Sequence, residues 1–287
     1  MSAITLQNFS YAYQHPQKVL DSISLSIDKG SFSVVLGPSG AGKTTLCLAI
    51  AGAVPYYYGG SSAGAALVAG VPTHTSSMQQ LALSVGTVLQ DFETQLVAMT
   101  VEEEVAFSLE NRGLPPAEIA ARVKEALHRV GLSGYERQSV ADLSGGQKQR
   151  LVLASVLVTT PEILVLDEPT SALDPEGTQS LYRLLSQLNQ QYGMTILTVE
   201  HNLAAVLPYA DQFILMEKGR LIHSGAPEKV LAFMAANQTF TEAIPPLWQL
   251  KGMLEQATSH SFTAWFTAEQ ASEQLYKLLA KEGPANA

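Results

Sequence analysis

The chain has 287 residues, 46% hydrophobic and 15% charged, enough to bury a sizeable core and slightly apolar for a protein in water. A net charge of −9, a pI near 5.1 and the lack of any Lys or Arg run argue against a nucleic-acid binder. The single cysteine, Cys47, rules out an intrachain disulfide and reads as a small core residue.

The first residues lack a positive stretch and an apolar core, so no signal peptide is expected. No apolar run approaches the ~20 residues that cross a bilayer. A membrane role would therefore need another chain to hold this one in place.

Residues 3–9 and 23–27 alternate apolar and polar, as half-buried antiparallel strands do. Residues 31–36 form a more continuous apolar strand that ends at a glycine-rich loop. A helix is expected from Lys43 to about Val54, stopped by Pro55 and the run Tyr56-Tyr57-Tyr58-Gly59-Gly60. A short edge strand from Ala65 to Ala69 follows, and then a strand at 84–89 that leads to Gln90.

Thr100 and Glu103 form a capping box at the start of the next helix, and Glu102, Glu103 and Glu104 suit the positive end of its dipole. A second helix follows Pro115-Pro116, with Ile119, Val123, Ala126, Leu127 and Val130 on one face. A helix runs from Ser144 to about Thr159, and residues 163–167 form a buried strand. Asp174-Pro175-Glu176 opens a helix with Leu181, Leu184, Leu185 and Leu188 at helical spacing. Thr195–Val199 is a strand, Glu217-Lys218-Gly219 a hairpin turn, and a further helix begins near Pro227.

Strands alternating with helices predict a three-layer α/β core around a parallel sheet, with an antiparallel β subdomain formed by the early strands. Residues 91–142 break the alternation with helices alone and read as an inserted helical subdomain. The main domain is thus expected over 1–239, with a small helical extension over 240–287.

The segment Gly37-Pro38-Ser39-Gly40-Ala41-Gly42-Lys43-Thr44-Thr45 lies between a strand and a helix, the setting that marks a phosphate loop. Its glycines let backbone N–H groups converge on phosphate oxygens at a helix N-terminus. Lys43 can reach the β- and γ-phosphates, and the Thr44 hydroxyl can ligate Mg²⁺. Alone, this loop fits GTPases, kinases and motor ATPases equally.

The strand 163–166 presents Asp167, suited to hold Mg²⁺, and then Glu168, suited to deprotonate an attacking water. Leu143-Ser144-Gly145-Gly146-Gln147 heads a helix, where Ser144 and two glycine amides make a second anion site. A capping serine would not need the two glycines, each of which weakens a helix by up to ~1 kcal/mol.

Leu143 to Gln147 between the phosphate loop and Asp167-Glu168 resembles the ATPase subunit of ABC transporters. The resemblance implies ATP and Mg²⁺, and head-to-tail dimers in which Leu143, Ser144, Gly145, Gly146 and Gln147 close on the ATP of the other subunit. By the same likeness Tyr13 stacks on adenine, and Gln90 contacts Mg²⁺ and the attacking water. Ser171 to Asp174 matches the loop linking the two sites, and His201 the histidine on the γ-phosphate. Glu200 departs from the pattern, where threonine is commoner.

Two features narrow the likeness. Residues 90–111 are similar to the corresponding segment of energy-coupling factor (ECF) transporters and related cobalt importers. The tail, from Pro245-Pro246 to Leu275, is similar to the extension of that group. The implied partners are a second ATPase, either a copy or a paralogue, a transmembrane coupling protein and a membrane substrate-binding subunit. The implied location is the cytoplasmic face of the membrane, in vitamin or transition-metal uptake. Docking is expected after Gln90, with Asp91, Glu93 and Gln95 as polar contacts and Leu96, Val97 and Met99 as an apolar floor. The rival readings are the ATPase of another ABC importer and a soluble ABC ATPase outside transport. A small-molecule kinase would have no use for Leu143 to Gln147.

Overall fold

The computed structural model describes residues 1–14, 16–258 and 260–282, with side chains described to position 278. Positions 283–287 of the extension lie outside the described residues. In chain order the first elements are β1 (Ser2–Ala12), β2 (Leu20–Asp28), β3 (Phe32–Leu36), α1 (Lys43–Ile50), β4 (Ser61–Val68), β5 (Val71–Pro72), α2 (Met78–Leu81) and β6 (Val85–Val88). Then come α3 (Val101–Glu110), α4 (Pro116–Val130), α5 (Gly145–Leu157), β7 (Ile163–Asp167), α6 (Pro175–Tyr192), β8 (Thr195–Val199) and α7 (Leu203–Val206). The chain closes with β9 (Gln212–Glu217), β10 (Arg220–Gly225), α8 (Pro227–Ala236), α9 (Pro246–Thr258) and α10 (Ala268–Glu282).

Among the described residues these strands form two sheets. A six-stranded sheet runs in the order β10-β9-β3-β8-β7-β6, parallel throughout except for the β9–β10 hairpin. A four-stranded antiparallel sheet runs β2-β1-β4-β5. Both faces of the parallel sheet are covered, which is why its strands read as continuous apolar runs. Val34, Leu36, Leu164, Leu166, Ile196 and Phe213 pack with helices α3 to α8 on one side. Val35, Val165, Leu197, Val199 and Ile214 pack with α1 and the antiparallel sheet on the other. The expected three layers are present.

Residues 91–142 carry α3 and α4 and no strand, as expected of a helical insert. On α4, Val123, Ala126, Leu127 and Val130 are buried and Ile119 is half-buried against the same core. The tail forms two helices around a small cluster of Phe262, Trp265 and Ala271, while Trp248 and Phe266 lean on the main core.

Four expectations need correction. Helix α1 stops at Ile50, short of Val54, because Gly52 turns left-handed at φ 74°. Ala53 N–H then bonds to Leu48 O at 2.8 Å and Gly52 N–H to Ala49 O at 3.2 Å, a glycine-closed helix end. The strand expected over Ala65–Ala69 instead spans Ser61–Val68 and lies inside its sheet, paired with β1 as far as Ala12. The helix begun by Ser144 ends at Leu157.

The last correction concerns the acidic trio. The Thr100–Glu103 capping box is formed, with Thr100 N–H on Glu103 Oε2 at 3.0 Å. Glu104, however, is buried at 4% exposure, and its Oε2 accepts the N–H groups of Val97 and Ala98 at 2.8 Å each. It pins the preceding loop and does more than complement a dipole.

Glu104→Ala is therefore expected to lower the free energy of unfolding by about 2–3 kcal/mol, because two amides lose a shared acceptor. Glu102→Ala, at an exposed position one residue pair away, should change it by less than about 0.5 kcal/mol. Urea unfolding of both variants checks this, and equal midpoints would show that Glu104 pins nothing.

Candidate functional site

The phosphate loop follows β3, and its backbone demands glycine at two close approaches. Gly37 has φ 148°, and a Cβ there would lie 2.1 Å from Met216 O. Gly42 has φ 94°, and a Cβ there would lie 2.8 Å from Val19 O. Gly42 also precedes α1 without any side-chain cap, so the helix N-terminus keeps its donors for a ligand. Lys43 is 6% exposed, and its Nζ donates to Gly37 O at 2.8 Å and Pro38 O at 3.1 Å. Burial lowers the lysine pKa, opposed by the nearby charges of Glu168 and Asp167.

Strand β7 brings two acids to the same edge. Asp167 is 2% exposed, and burial raises its pKa against a hydrogen bond from Thr44. Its Oδ1 has no hydrogen-bond partner. A buried acidic oxygen without a donor, beside a threonine hydroxyl, fits a divalent cation that also binds phosphate oxygens. Thr44 and Asp167 are thus the residues that could hold such a cation, with Gln90 lining the same cleft as Thr44. Among the described residues no cluster of three His, Cys, Asp or Glu could hold a metal on its own.

Glu168 adopts a left-handed backbone, φ 49°, held by its N–H on Val199 O at 3.2 Å. Such strain costs of order 1 kcal/mol or more and marks a position that the surroundings over-determine. The side chain is clamped from both sides. Gln90 Nε2 donates to Glu168 Oε2 at 2.9 Å, and His201 Nε2 lies 2.8 Å from Glu168 Oε1. Lys43, Thr44, Thr45, Gln90, Glu168 and His201 line one cleft of about 350 Å³ together with Ser39, Gly40, Ala41 and Gly42. Tyr13 is 38% exposed beside it, its ring edge-on to Tyr11 and its hydroxyl 3.4 Å from Thr45 Oγ1. An exposed ring there can take a flat base on its face.

Leu143 to Gln147 do not join this cleft. Ser144, Gly146 and Gln147 line a separate cavity of about 350 Å³ with Arg150, Leu173 and Gly177. Ser144 caps α5 by accepting from Gln147 N–H at 3.4 Å, while Gln147 Oε1 accepts from Ser144 N–H at 2.8 Å. Gln147 also donates to the Tyr135 hydroxyl at 3.2 Å, and Leu143 is buried in the core. Within this set, Ser144, Gly145 and Gly146 are therefore the residues that face outward. Ser171 lines a neighbouring cleft with Glu168 and His201, whereas Asp174 caps α6 through Gly177 N–H at 2.7 Å.

In the segment after Gln90, Gln95 has an intrachain role that its spacing did not announce. Its side chain accepts from Leu89 N–H at 2.8 Å and donates to Thr87 O at 3.1 Å, stapling the loop to β6. Glu93 pairs with Lys148 of α5 at 3.0 Å, and Val97 and Met99 are 65% and 82% exposed. Motif spacing also missed Gln149, whose amide donates to Pro169 O, and Glu200, which accepts from Thr170. The departure at Glu200 was the one sign of the second contact.

Fold and site together define a P-loop nucleoside triphosphatase with a second, outward-facing glycine-rich helix start at Ser144. The sequence matches the ABC transporter family over residues 20–171, and the chain belongs to that family, whose cassettes hydrolyse ATP. A Pyrococcus horikoshii protein named as an ABC transporter ATP-binding protein is 40% identical over 264 residues, spanning 90% of this chain and 93% of its own length. The energy-coupling factor transporter ATP-binding protein EcfA2 of Methanospirillum hungatei is 38% identical over 80% of this chain, which spans 56% of that relative. Among solved structures, cbiO1 from Clostridium perfringens, part of the ABC transporter complex cbiONQ, superposes with a TM-score of 0.75. It is 32% identical, covering 87% of this chain and 98% of its own.

Glu168→Gln is expected to keep ATP affinity within about threefold and to lower turnover by at least ~10²-fold, the range for loss of a general base. Lys43→Ala should weaken ATP binding itself by about tenfold or more, since a charge-assisted contact to phosphate goes with it. Calorimetric titration with ATP and phosphate release separate the two effects. Parental turnover in Glu168→Gln would remove that residue from the reaction.

Proposed function

We propose that this chain is the ATP-hydrolysing subunit of an ECF-type importer and that it drives transport by ATP-dependent closure of a cassette dimer. The observation that carries the reading is the convergence of Gln90, Glu168 and His201 on a cleft floored by the phosphate loop. ATP lies along that loop with adenine on Tyr13 and its β- and γ-phosphates on Lys43 and the α1 amides. Thr44, Asp167 and Gln90 would hold Mg²⁺, which when bound would supply positive charge against the phosphate oxygens. Glu168 takes the proton of the attacking water, and Gln90 and His201 fix the orientation of its carboxylate. His201 is also in reach of the γ-phosphate.

Ser144 and the amides of Gly145 and Gly146 offer anion donors that do not reach the cleft of their own chain. A second cassette, copy or paralogue, supplies the phosphate they bind, with Ser171 to Asp174 running between the two sites. ATP binding drives the closure of this sandwich.

Among the described residues no helix is long and apolar enough to cross a membrane, so coupling passes through a docked surface. The surface proposed is the groove of about 330 Å³ lined by Leu48, Ala51, Tyr57, Tyr58, Leu89 and Gln95, together with the exposed Val97 and Met99 that follow Gln95 in the chain. Asp91, exposed and free of ion pairs among the described residues, adds negative charge to the same segment, beside the Glu93–Lys148 pair. A transmembrane coupling protein and a membrane substrate-binding subunit would sit above. The names of the EcfA2 and cbiO1 relatives and the likeness of residues 90–111 to ECF ATPases support the ECF type and the cytoplasmic face of the membrane.

Two outcomes are expected. Glu168→Gln with ATP should run as a dimer in size-exclusion chromatography, and adding Ser144→Arg should return it to monomer; a dimer in both would relocate the interface. Val97→Asp combined with Met99→Asp should leave ATPase activity within about twofold. That double variant should also fail to pull down membrane subunits from solubilised membranes, and retained capture would move the docking site elsewhere.

A further inference from the structure

Glu200 stands one residue before His201 and is 3% exposed. Its backbone N–H bonds to Val35 O at 3.1 Å, so it is fixed to the strand that carries the phosphate loop. Both of its carboxyl oxygens receive the Thr170 hydroxyl, at 2.9 and 3.0 Å. The buried Tyr182 phenol of α6 stands beside the same carboxyl group, and no Lys or Arg pairs with it among the described residues. A buried acid without a cation opposes folding. Its retention calls for a use.

Thr170 lies between Glu168 and the Ser171–Asp174 loop. The same stretch is gripped from the opposite side, where the Gln149 amide of α5 donates to Pro169 O. Ser171 N–H closes back on Glu168 O at 3.2 Å. The turn that carries Glu168 is thus tied to α5 by one side chain and to the His201 strand by another. Glu168, Ser171, Glu200 and His201 line a common cleft of about 370 Å³.

We propose that Glu200 is a positioning residue that couples the Thr170–Asp174 loop to the His201 end of β8, so that the two partners of Glu168 respond together to what that loop meets. The inference rests on the roles proposed above for Glu168 and His201 and adds to them a link that neither role requires. When a second cassette presses on Ser171, the displacement reaches Thr170 and, through Glu200, His201. Without the link, the loop could shift while His201 stayed behind, and the Glu168 clamp would open.

The test uses the full chain and measures turnover, KM for MgATP, ATP affinity and melting temperature. Glu200→Ala and Thr170→Val should each lower kcat about tenfold with KM and affinity within twofold, the mark of misplacement without lost binding. Combined, they should lose no more than either alone, because both cut one link. Glu200→Gln and Thr170→Ser keep acceptor and donor and should hold kcat within about threefold. Parental kcat in Glu200→Ala and Thr170→Val, or losses that multiply in the pair, would overturn the link. If Glu200→Ala does not fold, equal turnover in Thr170→Val and Thr170→Ser overturns it and a tenfold gap supports it. Glu168→Gln run alongside keeps the two ideas apart. Its full activity would sink the reading of the site, whereas its inactivity beside active Glu200→Ala and Thr170→Val sinks the coupling alone.

Discussion

The site depends on the register of a parallel sheet. Val35 of β3 pairs with Val199 of β8, and Val199 pairs with Asp167 of β7, while Val88 of β6 pairs with Leu166. Those pairings set one row across the sheet at its carboxyl edge. Within two residues of the row lie Gly37, Gln90, Glu168 and His201, which come from four strands far apart in sequence. A slip of one residue in any pair would turn a functional side chain into the opposite layer. Apolar packing on both faces forbids the slip, so the hydrophobic effect that forms the core also places the chemistry.

Electrostatics at that edge work against the free protein. Lys43 folds back onto carbonyls of its own loop, and Asp167 keeps an oxygen without a donor, both in low-dielectric surroundings. Each would be satisfied by a polyphosphate with its cation, because the loop amides, the lysine and the acid would then all meet opposite charge. Binding is favoured by relief of these strained groups as well as by new contacts. The left-handed turn at Glu168 adds a conformational term of the same kind, held in place by Val199, Gln90 and His201.

Much of this was readable from the chain because the motifs are local. A phosphate loop needs glycines at fixed offsets, and Thr100, Ser144 and Asp174 cap helices through atoms three residues away. Spacing says nothing of what a side chain meets across the fold. Glu104 looked like a dipole residue and proved to be a buried acceptor. Gln95 was expected only as a polar contact for a partner, and its side chain also staples the loop to β6. Gln147 was assigned to the signature on spacing alone, which did not show that its amide bonds Ser144 and Tyr135. In each case the competing explanation was a tertiary neighbour brought by the sheet and by α5, and a single sequence does not encode which neighbour that is.

Those same misread residues explain how a signal can leave the site. Gln95 ties the loop after Gln90 to the backbone of β6, and Glu104 ties Val97 and Ala98 to the first turn of α3. Glu93 adds an exposed pair to Lys148, which alone contributes little. Between them the loop has no slack between Gln90 at the nucleotide and Val97 and Met99 at the surface. A free loop would absorb a displacement of Gln90 in its own torsions. A stapled one passes it to α3 and, through the packing of α3 and α4 on α5, to the helix headed by Ser144. The exposed apolar Val97 and Met99 thus sit on a segment tied at one end to β6 beside Gln90 and at the other to α3, the arrangement that the proposed coupling to a membrane partner would need.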